Sequence, residues 1–382
     1  MGNRKHWSEM LDILLPKSRL DPKVLLQQTI TRASIASVKF LIDQFSLDLT
    51  AEPTLVAKAA ENLEFGPQII DLLLQRFHDI NITDDIILAI INHGESGASG
   101  VSYVCDSLKV LFDRLGPDFQ VTNRVLLGAA RAEVEDDCDG QVFKVVFQRA
   151  SVELEITQEV VMAAAQNSNA WDIMQLLLSS RPAEICMTEE ILCATIPKLE
   201  GSYSYLLRNA AKHSIKITEK TIAAAARDSD TGREAFLQVL NAADANTRIT
   251  QDVLLAAATN YDVNGTQIMW LLLRESMNVD EVGTEVLEKV LQGDKSGIMS
   301  VILKRRGATI RLTKDLVQGW IANERTSGKA LKFLLQYKAA ELHSILDAMS
   351  TDEQAEFMDR WDQLFKQFEQ DSWESIFKKH GK

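Results

Sequence analysis

Apolar residues recur along this chain at helical spacing, in two alternating patterns. The first appears in ITQEVVMAAAQN at 156–167, ITEKTIAAAARD at 217–228, ITQDVLLAAATN at 249–260 and LTKDLVQGWIAN at 312–323. An apolar pair such as Val160-Val161 or Val253-Leu254 is followed, one helical turn later, by small residues such as Ala164-Ala165 or Ala257-Ala258. Such spacing marks one face of a helix, and alanine on that face lets a neighbouring helix come close. The second pattern is a small residue ahead of a leucine-rich run, as in Ala170…IMQLLL and Gly265…IMWLLL. Neither helix can bury its apolar face alone, so the pair is expected to stack on copies of itself.

Carried along the chain, the template starts a first helix at Asp21, Glu52, Thr83, Thr122, Thr157, Thr188, Thr218, Thr250, Gly283 and Thr313. The fold class this predicts is all-α: an α-solenoid of about ten helix-turn-helix repeats over 21–342, with an N-terminal capping helix in 1–20 and C-terminal capping helices in 343–382. Threonine or aspartate at a start accepts a hydrogen bond from the free N–H groups of the first turn. Pro22 and Pro53 fall one residue later, where a missing N–H costs nothing. Asn62, Asn167, Asn260 and Asn323 are expected to close the first helices in the left-handed conformation. Gly66, Gly140, Gly232 and Gly265 are expected to end the connectors, and Arg76, Arg114, Arg149, Arg274 and Arg306 to sit at the negative ends of second helices. Gly283 stands where a cap threonine is expected, and Pro197 interrupts the helix begun at Thr188.

Beyond the array, Trp7, Met10, Leu11, Leu14 and Leu15 form an apolar face suited to covering the first repeat. Phe357, Trp361, Leu364, Phe365 and Phe368, followed by Trp373, Ile376 and Phe377, suit two roles. They either hide the last repeat's open core or present a partner-binding helix with aromatic anchors.

The repeat pattern resembles the degenerate ankyrin-like repeats of fungal NACHT and ankyrin-type receptor proteins, whose units read ITEEVV-x-AAA-x-N followed by a glycine and a leucine-rich helix. Leu72-Leu73-Leu74-Gln75-Arg76 is similar to the second helix of an ankyrin repeat, as is the run from Ile302 to Ala308. The T-P-L-H-x-A start of ankyrin itself is absent. The resemblance spans about residues 20 to 340 and implies a recognition or scaffold array, with no catalytic residue of that family on this stretch.

Charge sharpens the expectation about partners. With 41 basic against 54 acidic residues the net charge is −13, which disfavours nucleic acid and anionic membrane and attracts a basic protein or peptide. No apolar run reaches the ~18 residues that span a bilayer. Cys105, Cys138, Cys186 and Cys193 lack a zinc-ligand spacing, and such sparse thiols fit a reducing, cytoplasmic setting. The start Met1-Gly2-Asn3-Arg4-Lys5-His6 has histidine where a myristoylation signal needs Ser or Thr. Gly94–Gly100 lacks the Gly-Lys-Ser/Thr ending of a phosphate loop, and the acidic loop Glu133–Asp139 lacks the ligand order of a calcium loop. No G-x-S-x-G or H-E-x-x-H occurs.

The function expected is therefore a non-catalytic protein–protein interaction scaffold or recognition array, without cofactors and monomeric in isolation. A regulatory subunit dedicated to one partner, and a cryptic enzyme with a pocket between helices, are the alternatives. In the second helices one register reads Lys39, Asp71, Lys109, Lys144, Gln175, Ser204, Gln238, Trp270, Ser300, Lys332 and is expected to face solvent. Trp270 breaks this polar column. It is the candidate partner-binding residue, flanked by Gln238 and Ser300, unless its indole folds back over its own repeat or a neighbouring one.

Overall fold

The computed structural model describes residues 21–49, 52–93, 101–133, 140–196, 203–228, 232–244, 246–260, 262–274, 279–293, 295–322 and 328–366. The N-terminal capping helix expected in 1–20, the Gly94–Gly100 connector and acidic residues 134–139 lie outside these. So do Pro197, Asn323 and the aromatic residues from Phe368 onward. The described residues form 21 α-helices and no strand, with one isolated parallel bridge between Ile249 and Val279. The fold is an all-α array of paired helices.

The chain divides into two units, one ending at Cys186 and the other starting at Met187. The first unit holds α1 (Pro22–Thr29), α2 (Ile35–Phe45), α3 (Thr54–Ala60), α4 (Gly66–Arg76) and α5 (Asp84–His93). It continues with α6 (Val101–Leu115), α7 (Asn123–Arg131), α8 (Gln141–Phe147), α9 (Gln158–Gln166) and α10 (Ala170–Ser180). The second unit holds α11 (Glu189–Thr195), α12 (Tyr203–Lys212), α13 (Glu219–Arg227), α14 (Arg233–Ala242), α15 (Gln251–Thr259) and α16 (Asp262–Leu272). It ends with α17 (Thr284–Gln292), α18 (Ser296–Arg306), α19 (Lys314–Ala322), α20 (Gly328–Asp347) and α21 (Thr351–Lys366).

Within each unit the packing has a fixed order. First helices pack on the next first helix, α3 to α9 in one unit and α11 to α19 in the other, and second helices do the same along the opposite layer. The core lies between the layers. Val160, Val161, Val253 and Leu254 are fully enclosed there, as are Ala164 and Ala257. Each buried Val or Leu contributes about 1.5–3 kcal/mol relative to exposure.

Cap threonines start the first helices through their side chains. Thr122, Thr157 and Thr188 accept hydrogen bonds from the N–H groups of Val125, Val160 and Ile191, Thr218 from that of Lys220, and Thr313 from that of Leu316. Thr250 differs: its hydroxyl caps nothing and is buried without a partner. Gly283 donates its N–H to Gln251 Oε1 at 3.0 Å. The residue ahead of the cap is also buried at Ile82, Val121, Ile156, Ile217, Ile249 and Leu312, where it anchors the chain entering the helix.

The asparagines do something other than expected. Asn167 and Asn260 have extended backbones, φ −65° with ψ 151° and 166°, so the left-handed conformation is not the reason for them. Their side chains are buried and reach back one repeat. Asn62 Nδ2 donates to the carbonyls of Ile30 and Ala33, both at 2.8 Å. Asn167 Nδ2 donates to Ala130 (3.0 Å) and Ala132 (2.8 Å), and Asn260 Nδ2 to Ala226 (2.9 Å) and Asp228 (2.6 Å). Apart from Ala33, which lies in the loop after α1, these are carbonyls at helix C-termini, which have no partner within their own helix. The Oδ1 atoms meanwhile accept from the following loop, Asn62 from Phe65 N at 3.0 Å and Asn167 from Asn169 N at 2.8 Å. Where Gly293 holds this register, Lys295 Nζ takes over and donates to Ala258 O at 2.6 Å.

Two glycines show different requirements. Gly140 has φ +58°, a conformation that favours glycine at the turn into α8. Gly265 sits within α16 rather than ending a connector, and a Cβ there would lie 2.7 Å from Ile298 Cδ1 and 3.0 Å from Ala257 O. At the C-terminal end α20 bends at Lys338 (φ −134°). On α21, Phe357 and Trp361 are buried and stack at 5.2 Å, so these two are packed against the last repeat rather than displayed as anchors.

Candidate functional site

Two surfaces of the second unit carry chemistry. The first is an open groove of about 950 Å³ across α11, α13 and α15. Its floor is small because the same register of three first helices supplies Ala194, Ala224 and Ala256. Its rim is acidic because the first turn of each helix, next to the positive end of the dipole, carries Glu189 and Glu190, Glu219, or Asp252. Lys220 and Arg227 also line it, outnumbered by the carboxylates.

Glu189 is the most constrained group in the groove. Its Oε1 accepts from Thr218 N (2.9 Å), Thr218 Oγ1 (2.7 Å) and Thr221 Oγ1 (2.8 Å). Burial is the largest single influence and pushes its pKa up. The hydrogen bonds from Thr218 and Thr221, with Lys220 nearby, together outweigh it and hold the carboxyl below its ordinary value. Glu189 is a fixed negative charge. The neighbouring Cys193 thiol lies 3.6 Å from Thr221 Oγ1 and is pushed up, mainly by burial and further by Glu189 and Glu190. A protonated thiol is a poor nucleophile.

The second surface surrounds Trp270 on α16, which is 39% exposed. Three guanidinium carbons lie close to its ring centroid: Arg233 at 5.7 Å, Arg274 at 5.3 Å and Arg305 at 5.3 Å. A cavity of about 350 Å³ is lined by Arg233, Thr266, Gln267, Trp270 and Val301. Of the flanking residues expected beside Trp270, Gln238 is exposed, but Ser300 is only 9% exposed and the column is not continuous there. The short serine side chain sits on α18, which is packed between α16 and α20, and it does not rise clear of that layer. Neither Gln238 nor Ser300 lines the cavity. The arginines were not singled out as a site in the sequence, since they converge from three repeats. The available signal was that Arg114 and Arg305 share one register.

The described architecture is thus an all-α repeat array in two units. A sequence profile of a family described as a domain of unknown function (DUF7104) matches residues 147–174, 206–235 and 240–269. Each match runs from one second helix through a whole first helix to the next second helix, so the profile meets the same structural unit three times. The matches cover less than a quarter of the chain. No curated protein and no solved structure matches. None of the described helices is long and apolar enough to cross a membrane.

Proposed function

We propose that this chain is a non-catalytic recognition array that holds a basic segment of a partner protein, the use implied by its resemblance to ankyrin-like receptor repeats. The observation that carries the reading is the groove across α11, α13 and α15. Small side chains leave room on its floor, while Glu189, Glu190, Glu219 and Asp252 give it one sign of charge. Lysine or arginine side chains of an extended peptide would meet those carboxylates while its backbone lies over the alanines. A fixed carboxylate and a protonated thiol suit holding rather than turnover. The free thiols of Cys105, Cys186 and Cys193 fit a reducing compartment such as the cytoplasm.

The test is fluorescence anisotropy of a labelled lysine-rich peptide titrated into the full chain. Binding should weaken with salt, and the exposed pair Glu219→Gln and Asp252→Asn should together reduce affinity about threefold or more. Failure to bind, or equal binding by the double variant, would overturn the proposal.

A further inference from the structure

The arginines around Trp270 contrast with their counterparts in the first unit. There, arginines near the ends of second helices bridge to aspartates one repeat earlier: Arg76 to Asp43, Arg114 to Asp71 at 2.5 Å, and Arg149 to Asp113 at 2.8 Å. Asp71 and Trp270 hold the same register in their repeats, as do Arg114 and Arg305. In the second unit, therefore, an indole stands in the register that one first-unit repeat fills with Asp71, the acceptors Asp43 and Asp113 lying four positions further along, and Arg305 turns to a ring instead of an anion. Arg233 and Arg274 join it, and none of the three has an ion pair among the described residues.

A ring attracts cations through its quadrupole but does not cancel their charge, and it has two faces for three guanidiniums. All three lie within 5.7 Å of one centroid, which gathers three like charges around a single ring with a net mutual repulsion. An anion with several acceptor oxygens would relieve that repulsion and take forked hydrogen bonds from more than one arginine. The cavity beside the ring is side-chain sized, at about 350 Å³; Arg233 alone of the three arginines lines it, Arg274 and Arg305 reach the ring outside its lining, and Val301 and the indole give it an apolar wall. A chain of net charge −13 repels an extended polyanion such as nucleic acid, whereas one dianion on an otherwise neutral segment meets mainly the local arginines.

We propose that Arg233, Arg274 and Arg305, gathered around Trp270, receive a phosphoryl group carried on a side chain of a partner protein. This rests on reading the array as a protein-recognition module, but it uses a different surface from the acidic groove. Phosphorylation of the partner would then switch binding at this face on.

The experiment titrates the full chain with a labelled neutral peptide bearing one phosphotyrosine, and with its unphosphorylated form. The phosphorylated peptide should bind at least about tenfold more tightly, the difference expected of charge-assisted hydrogen bonds. The variant Arg274→Gln with Arg305→Gln should lose that difference. Arg274→Lys with Arg305→Lys keeps the charge without the fork and should fall between, and circular dichroism melts confirm that each variant is folded. Equal binding of the two peptides, or an unchanged difference in the folded Gln variant, overturns the proposal. Displacement of the phosphopeptide by adenosine monophosphate at lower concentration than by the peptide itself would make this a nucleotide site, and also overturns it. The groove variant Glu219→Gln with Asp252→Asn should bind the phosphopeptide normally. If only the phosphopeptide fails, this site falls and the groove stands; if the lysine-rich peptide fails as well, so does the recognition reading.

Discussion

Replacing Asn167 with alanine should loosen the joint between α7 and α9 far more than its size suggests. Asn167 is 2% exposed and gives its two amide hydrogens to the carbonyls of Ala130 and Ala132. The change strands both acceptors, and an orphaned buried acceptor costs about 1–3 kcal/mol. The third bond, from Asn169 N, is only partly buried and water can replace it. The loss should therefore fall near 3 kcal/mol for this joint, or about a hundredfold in its local opening constant. Native-state hydrogen exchange read by mass spectrometry suits the question, because a repeat array can open locally without unfolding. Amides of α7 and α9 should lose about a hundredfold in protection while those of α15 stay unchanged. Gln166→Ala, one residue away and exposed, serves as the control and should do little. If Asn167→Ala behaves like the control, the asparagine is not holding the preceding helix and the account given of it is wrong.

Other outcomes follow from single groups. Glu353 is held down to about 2 from an ordinary 4.5, first by its hydrogen bond with Lys314, then by Ser350 and by Gln318. A folded-state pKa below the unfolded one means stability that is present above about pH 4.5 and lost as the pH falls towards 2. The advantage of the native chain over Glu353→Gln in proteolytic resistance of α21 should thus shrink between pH 5 and pH 2; a constant difference would refute this. Thr122→Ala removes both the cap on Val125 N and a 2.6 Å bond to Asp84, and should cost about 1 kcal/mol in thermal melts. Thr250→Val removes a buried hydroxyl without a partner and should be neutral or stabilising, and a loss comparable to that of Thr122→Ala would show that Thr250 does cap.

The parts of this fold that could be read from sequence are those set by residues three or four apart. Val160-Val161 with Ala164-Ala165 declare a buried helical face because the periodicity lies inside one helix, and that was enough for the all-α class. The asparagines were noticed, but their work was misread. Asn167 acts on carbonyls 35 and 37 positions away, and no local pattern carries that information. The same applies to Trp270. Its register promised exposure, which it has, and Arg274 lies one helical turn on in the same repeat, but the guanidiniums of Arg233 and Arg305 arrive from the repeats on either side. Ser300 was misplaced because register gives direction without telling how deep a short side chain sits. The acidic groove was half legible: first-turn acids explain themselves by the helix dipole, and only stacking brings them together over a floor of alanines.

The backward reach of the asparagines gives the array a direction in time as well as in space. Ahead of Asn62, Asn167 and Asn260, a repeat leaving the ribosome carries carbonyls that its own residues do not serve, and the donors arrive only when the next repeat's asparagine is made. For Ala130 and Ala132 the wait is until Asn167, and for Ala226 until Asn260. Consolidation should therefore trail synthesis by about one repeat. Loss on the two sides of such a joint should differ too, since losing the repeat that carries the asparagine strands carbonyls in its predecessor, whereas losing the predecessor leaves only an amide that water can serve.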